Sequence, residues 1–313
     1  MSDLRRLIVD TDTGADDVWA IVEALRAEKV ARVEAITVVC GNLPLDLCVK
    51  NAMLAEDAAG TYFPPVYRGM ERPILHKSAF YASHVHGEDG LGGMNLPWPA
   101  RPVETKHAVQ AIIDLVMGAP GEMEIVTCGP LTNLAMALLL EPRLAENIKK
   151  VWILGGTAGT FGNMTLMAEF NVYADPEAAS VVLNAGMDTV WVTWDTSRGE
   201  TEITPEELRR MEECGDQAAS FCARCVRTMR AYQQERYGRD TLGVIDSMLM
   251  TAALYPEILE DVFRASCAIE TSPGEYRGHF RIDRWGDTPN CAVCPRIDAE
   301  HYKKHLFALL GAG

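Results

Sequence analysis

Leu7-Ile8-Val9-Asp10-Thr11-Asp12-Thr13-Gly14-Ala15-Asp16-Asp17 sets three aliphatic residues directly against four carboxylates. The apolar run is too short for a helix and reads as a buried parallel strand, with Gly14 free to take the positive φ needed to turn out of it. Residues 18–25 then carry the apolar face of a helix. That places Asp16 and Asp17 in its first turn, where the helix dipole favours negative charge. All four acids are therefore expected at the carboxyl end of a strand, where open α/β sheets hold their ligands. Carboxylates this close repel one another unless a cation sits among them, and a hard, oxygen-seeking ion is the simplest occupant. A solvated turn with an N-cap accounts for one or two of the four acids. It does not account for Asp10 and Asp12 at the end of a buried strand.

Outward from this stretch, strands and helices alternate. Residues 33–39 form a second β-branched run ending in Cys40-Gly41-Asn42, and residues 46–59 carry a helical period stopped by Gly60. A short strand is expected at 64–69, a long irregular loop at 76–101 and a helix at 104–117. Strands follow at 123–127, 151–154 and 190–193, and helices at 132–140 and 177–185. Residues 157–176 read as loop. A long amphipathic helix is expected from Pro205 to Tyr237, broken near Gly215, then an apolar helix at 247–254. Residues 278–283 and 290–297 alternate like the two arms of a hairpin, and a helix at 299–310 closes the chain. Repeated βα units with a small C-terminal hairpin predict an α/β fold: a mostly parallel central sheet flanked by helices. No linker divides it, so residues 1–313 are expected to form a single domain.

Composition narrows the function classes. The chain has 313 residues, 48% of them hydrophobic, enough for a large core. A net charge of -15 argues against nucleic acid, whose binding needs clustered Lys and Arg. No apolar run reaches bilayer length or resembles a signal-peptide core, so no membrane partner and a cytoplasmic location are expected. Nine cysteines read as reduced thiols in that compartment. Cys222-Ala-Arg-Cys225 and Cys291-Ala-Val-Cys294 have metal-like spacing, but a zinc ribbon wants its pairs about 15–20 residues apart.

Six segments, in order, resemble the inosine-uridine preferring nucleoside hydrolase family. Asp10 to Asp17 is similar to its opening fingerprint, Cys40-Gly41-Asn42 to its second strand end, and Pro65-Val66-Tyr67-Arg68-Gly69 with Arg72-Pro73 to its short third strand. His86-Gly87-Glu88-Asp89-Gly90-Leu91-Gly92 resembles its base-side loop and Gly129-Pro130-Leu131-Thr132-Asn133 its central turn. Ala168-Glu169-Phe170-Asn171 with Asp175-Pro176-Glu177-Ala178-Ala179 resembles its sugar-binding segment. The resemblance implies a nucleoside-hydrolase-like fold, a homodimer or homotetramer, and calcium-dependent hydrolysis of the N-glycosidic bond of a ribonucleoside, giving free base and ribose.

Such chemistry needs an activated water, a grip on the ribose and help for the departing base. Carried over by resemblance, Ca²⁺ is held by Asp12, Asp17, Asp246 and the main-chain carbonyl of Cys128, an all-oxygen set. Asp12 doubles as the base, supported by Asp10. Asp16, Asn42, Asn163, Glu169 and Asn171 match the hydroxyl contacts; Asn and Asp grip a diol through paired bonds. Many family members place a His just before the late Asp to assist the leaving base, whereas this chain has Ile245. His86 from the loop, or Gln233 and Tyr237, four apart on one helix face, are the remaining donors. Two other readings stand beside this one. Asp10-Thr11-Asp12-Thr13 also fits the start of a haloacid-dehalogenase-like, Mg²⁺-dependent phosphatase, and a catalytically silent nucleoside or sugar binder would keep the ion without the acid.

Overall fold

The computed structural model describes residues 4–76 and 79–313; Lys77 and Ser78, inside the expected 76–101 loop, lie outside the described residues. Its strands are β1 (Arg5–Thr11), β2 (Ala31–Val38), β3 (Val66–Arg68), β4 (Met123–Thr127), β5 (Lys150–Leu154), β6 (Thr189–Val192), β7 (Leu259–Glu260), β8 (Phe263–Ile269), β9 (Phe280–Asp283), β10 (Cys291–Cys294) and β11 (Arg296–Ile297). Nine of them form one sheet in the order β3-β2-β1-β4-β5-β6-β10-β8-β9, parallel from β3 to β10 and antiparallel at the β8 and β9 edge. β7 and β11 make a separate antiparallel pair.

The period-2 alternation of β1 explains its two-sided burial. Leu7 and Val9 face a layer built from the helices Ala15–Arg26, Leu45–Ala59 and Ile245–Leu254. Ile8 faces the opposite layer, with Ala108–Gly118, Thr132–Leu140 and Pro176–Leu183. Chain order reverses at β1: β2 and β3 lie to one side, β4 to β6 to the other. Such a switch point opens a crevice at the strands' carboxyl ends.

Several local expectations are corrected. Gly14 does not use positive φ; it is extended (φ -94°, ψ -162°). Its lack of a side chain matters because a Cβ there would stand 2.6 Å from His86 Nδ1. The helix expected from 104 begins at Ala108, because Glu104 N–H donates to the Val66 carbonyl beside β3 and the His107 ring accepts the Val109 N–H as an N-cap. The long helix is three: Pro205–Glu213, Gln217–Cys225 and Arg227–Tyr237. Gly215 (φ 85°) makes the first break, and Val226, leaving helical geometry without any glycine, makes the second. Short helices interrupt both long loops, at Ser83–His86 and Phe170–Ala174. The C-terminal hairpin is present with different arms. Residues 280–283 pair with β8, a strand that the local pattern does not announce, and β8 separates them from β10.

Candidate active site

Asp10 is the penultimate residue of β1 and Asp12 lies just past the strand's end, both with no solvent exposure. Asp10 Oδ1 accepts from Thr37 Oγ1 on β2 at 2.6 Å and from Asn133 Nδ2 at 2.8 Å. Burial still pushes its carboxyl up to about 7. Asp12 Oδ2 accepts the Asn42 N–H at 2.6 Å. Two glycines press on the same carboxylate: a Cβ on Gly41 would stand 2.0 Å from Oδ2, and one on Gly129 2.6 Å from Oδ1. Asp17 accepts from Thr11 Oγ1 (2.6 Å), Gly14 N–H (2.9 Å) and Asn42 Nδ2 (3.1 Å). Asp16 lies beside it in the same helical turn, and Asp246 arrives in the first turn of the helix Ile245–Leu254.

This concentration of acid is under-compensated. Burial, then the charges of Asp17 and Asp16, hold Asp12 well above the ordinary carboxylate range; burial, then Asp17, Asp16 and Asp12, do the same to Asp246. Asp16 and Asp17 are raised to about 6, mainly by burial. Asp10 Oδ2, Asp12 Oδ1, Asp16 Oδ1 and Asp246 Oδ1 are buried without a hydrogen-bond partner among the described residues. Buried charges are normally paired or metal-bound, so these oxygens fit a cation. Asp17, Cys128 and Asp246 offer ligand atoms within 4.8 Å of one another. For Cys128 that atom is Sγ, whereas the resemblance uses its carbonyl. Burial and the surrounding acids push the thiol far up, which keeps it protonated and leaves an oxygen donor set suited to a hard ion. Its carbonyl already accepts Asn171 Nδ2 at 2.7 Å, with a second lone pair remaining.

A cavity of about 290 Å³ opens over this floor. Asp16, Asn42, Asn163, Glu169, Asn171, His86, Gln233, Tyr237, Cys128 and Asp246 all line it, so the expected ribose and base residues are brought together, whereas Asp10, Asp12 and Asp17 are not among the lining residues. Glu169 caps the helix Phe170–Ala174, accepting from Asn171, Val172 and Gly156 N–H groups, and burial raises it to about 7. Asn163 spends its Oδ1 on the Phe170 N–H at 2.8 Å.

His86 is buried, its Nδ1 accepting the Ala15 N–H at 3.1 Å and lying 3.6 Å from Asp16 Oδ1. Burial lowers its pKa to about 4, so the ring is neutral near pH 7 and the hydrogen bond assigns its proton to Nε2. Tyr237 is half exposed at the end of its helix. Met229 and Tyr232 join Gln233 and Tyr237 on the same wall; an i, i+3, i+4, i+8 stripe was the signal for them. Trp194, an aromatic residue that the sequence alone leaves open between core and base-stacking, and Arg198, which carried no signal, also line the cavity beyond β6.

A family model described as inosine-uridine preferring nucleoside hydrolase matches residues 7–304. The chain is 36% identical over 304 residues, covering 95% of both sequences, to the inosine-uridine preferring nucleoside hydrolase of Leishmania major. Among solved structures it is similar to a plant nucleoside hydrolase (TM-score 0.93, 28% identity, 99% of each chain). It is also similar to a purine-preferring ribonucleoside hydrolase from Gardnerella vaginalis (TM-score 0.91, 26% identity, 98% of this chain and 99% of that one).

Proposed function

The chain belongs to the inosine-uridine preferring nucleoside hydrolase family and is a ribonucleoside hydrolase, and on that premise we propose that its single domain works with Ca²⁺ held by Asp12, Asp17, Asp246 and the Cys128 carbonyl. The observation that carries this reading is that Asp12 and Asp246 each keep a buried carboxylate oxygen without a partner among the described residues, within a cluster of acids that has two more such oxygens on Asp10 and Asp16. When bound, such an ion would supply a polarised water and anchor ribose hydroxyls. Asp12 takes the water's proton, with Asp10 in support. Asp16, Asn42, Asn163, Glu169 and Asn171 hold the sugar as positive charge develops on it. A hydrolase of this family leaves the phosphatase reading of Asp10-Thr11-Asp12 without a role.

The departing base leaves toward the wall of His86, Gln233 and Tyr237. Ile245 has no proton to give, and His86, neutral with its Nδ1 engaged, is better suited to holding the Asp16 turn than to acid catalysis. Tyr237 is therefore the proposed donor, with Gln233 as a contact to the base. The relatives' names cover inosine, uridine and purine ribosides, so the ribose end defines the substrate class and the base is left open. Calcium titrated into metal-stripped protein tests the ion assignment. Binding of about one Ca²⁺ per chain is expected; no uptake, or uptake unchanged in Asp246→Asn, contradicts it.

A further inference from the structure

Glu23 is a fully buried acid that the reaction does not use. It lies on the helix Ala15–Arg26, seven residues after Asp16 and so two turns down the same face. Its Oε2 accepts the Thr251 hydroxyl at 2.6 Å, across to the helix Ile245–Leu254 that carries Asp246 in its first turn. Oε1 has no partner among the described residues. One turn above Thr251, Ser247 also faces this carboxyl, and its hydroxyl is 3.0 Å from Tyr302 Oη of the C-terminal helix. Cys222 and Tyr255 complete the titratable surroundings. Val18, Val22, Met248 and Leu249 pack around this bond in one core, and above them the seam is polar, where Asp16 meets Asp246 at the helices' first turns.

The two helices end at the same place: their first turns supply Asp16, Asp17 and Asp246. A purely apolar seam tolerates small slides and rotations, whereas one directional bond in a low-dielectric interior selects a register. We infer that Glu23, through its bond to Thr251, is a positioning residue that fixes the Asp246 helix against the Asp16-Asp17 helix and so sets the spacing of the carboxylates at the cavity floor. The inference rests on the calcium reading above. Burial pushes the Glu23 carboxyl up to about 8, against the hydroxyls of Ser247 and Thr251, so it stays protonated near neutrality. A leucine would fill the space without desolvation cost, and that lets register be separated from stability.

Glu23→Gln, Glu23→Leu and Thr251→Val, each stripped of metal, are compared with wild type by calorimetric Ca²⁺ titration and by thermal unfolding without Ca²⁺. Glu23→Leu and Thr251→Val should lose about tenfold in Ca²⁺ affinity with little or no fall in Tm, while Glu23→Gln, which keeps an acceptor for Thr251, stays within about twofold. Folded Glu23→Leu or Thr251→Val with wild-type affinity overturns the inference, as does a loss in all three that merely tracks Tm. If Glu23→Leu does not fold, the near-isosteric Thr251→Val decides. A wild type that binds no Ca²⁺ overturns the ion assignment itself, and this inference with it.

Discussion

Asp12 is gripped by the Asn42 N–H on one oxygen and closed in by Gly41 and Gly129, while its other oxygen has no partner among the described residues. That is the environment of a group kept ready to accept a proton. Asp12→Asn preserves the shape and removes the acceptor, so kcat should fall by about 10² or more with a smaller change in KM; near-normal turnover would move the base elsewhere, Asp10 first. At the other end of the substrate, Tyr237→Phe should slow natural ribonucleosides by about 10² and spare a nitrophenyl riboside, whose leaving group needs no acid. His86→Ala should slow both, because its ring packs on Gly14 and receives the Ala15 N–H. Equal loss of both substrates in Tyr237→Phe would remove Tyr237 as the donor. The acids themselves were legible, since Asp10 and Asp12 directly follow an apolar run that only a buried strand accommodates. Thr37 and Asn133, which hold Asp10, were not, because nothing local ties a threonine on β2 to an acid on β1.

Glu124 shows what the elements add. It joins three neighbouring strands, accepting from Arg5 of β1 and from Trp152 Nε1 of β5 at 3.0 Å, with Lys149 at 3.1 Å. Burial works to raise its carboxyl, but Arg5 and Trp152 outweigh it and hold the value near about 2, against 4.5 ordinarily. A depressed folded-state value means that the unfolded chain takes up the proton first. The stabilisation is therefore whole above about pH 4.5 and is lost as pH falls toward about 2. The Tm of Glu124→Gln should lie below wild type at pH 7, with the gap closing over that window; a pH-independent gap would show that the charge is not the source. Most strands were legible because both faces of a parallel sheet are apolar. The misreadings fall where a non-local partner overrides local pattern. Glu104 is drawn out of its helix by the Val66 carbonyl, and residues 280–283 find β8 instead of their nearer neighbour in sequence.

At the scale of the molecule, the reversal of strand order at β1 gathers chain segments far apart in sequence around one crevice: the Asp10 turn, Asn42, Cys128, the Glu169 segment and Asp246. Order and spacing made that gathering readable only as a resemblance; the structure supplies it as geometry. Among the described residues no helix is long and apolar enough to cross a membrane. The homodimer or homotetramer that the family resemblance implies would have a mass in solution of two or four times 34.4 kDa, which light scattering would check. Calcium-dependent cleavage of a ribonucleoside is decided by incubating metal-stripped protein with inosine and with uridine, with and without added Ca²⁺, and measuring reducing sugar and free base together. Equimolar ribose and base from at least one of them, abolished without Ca²⁺ and restored by it, is the predicted result; release that is indifferent to Ca²⁺ would contradict it.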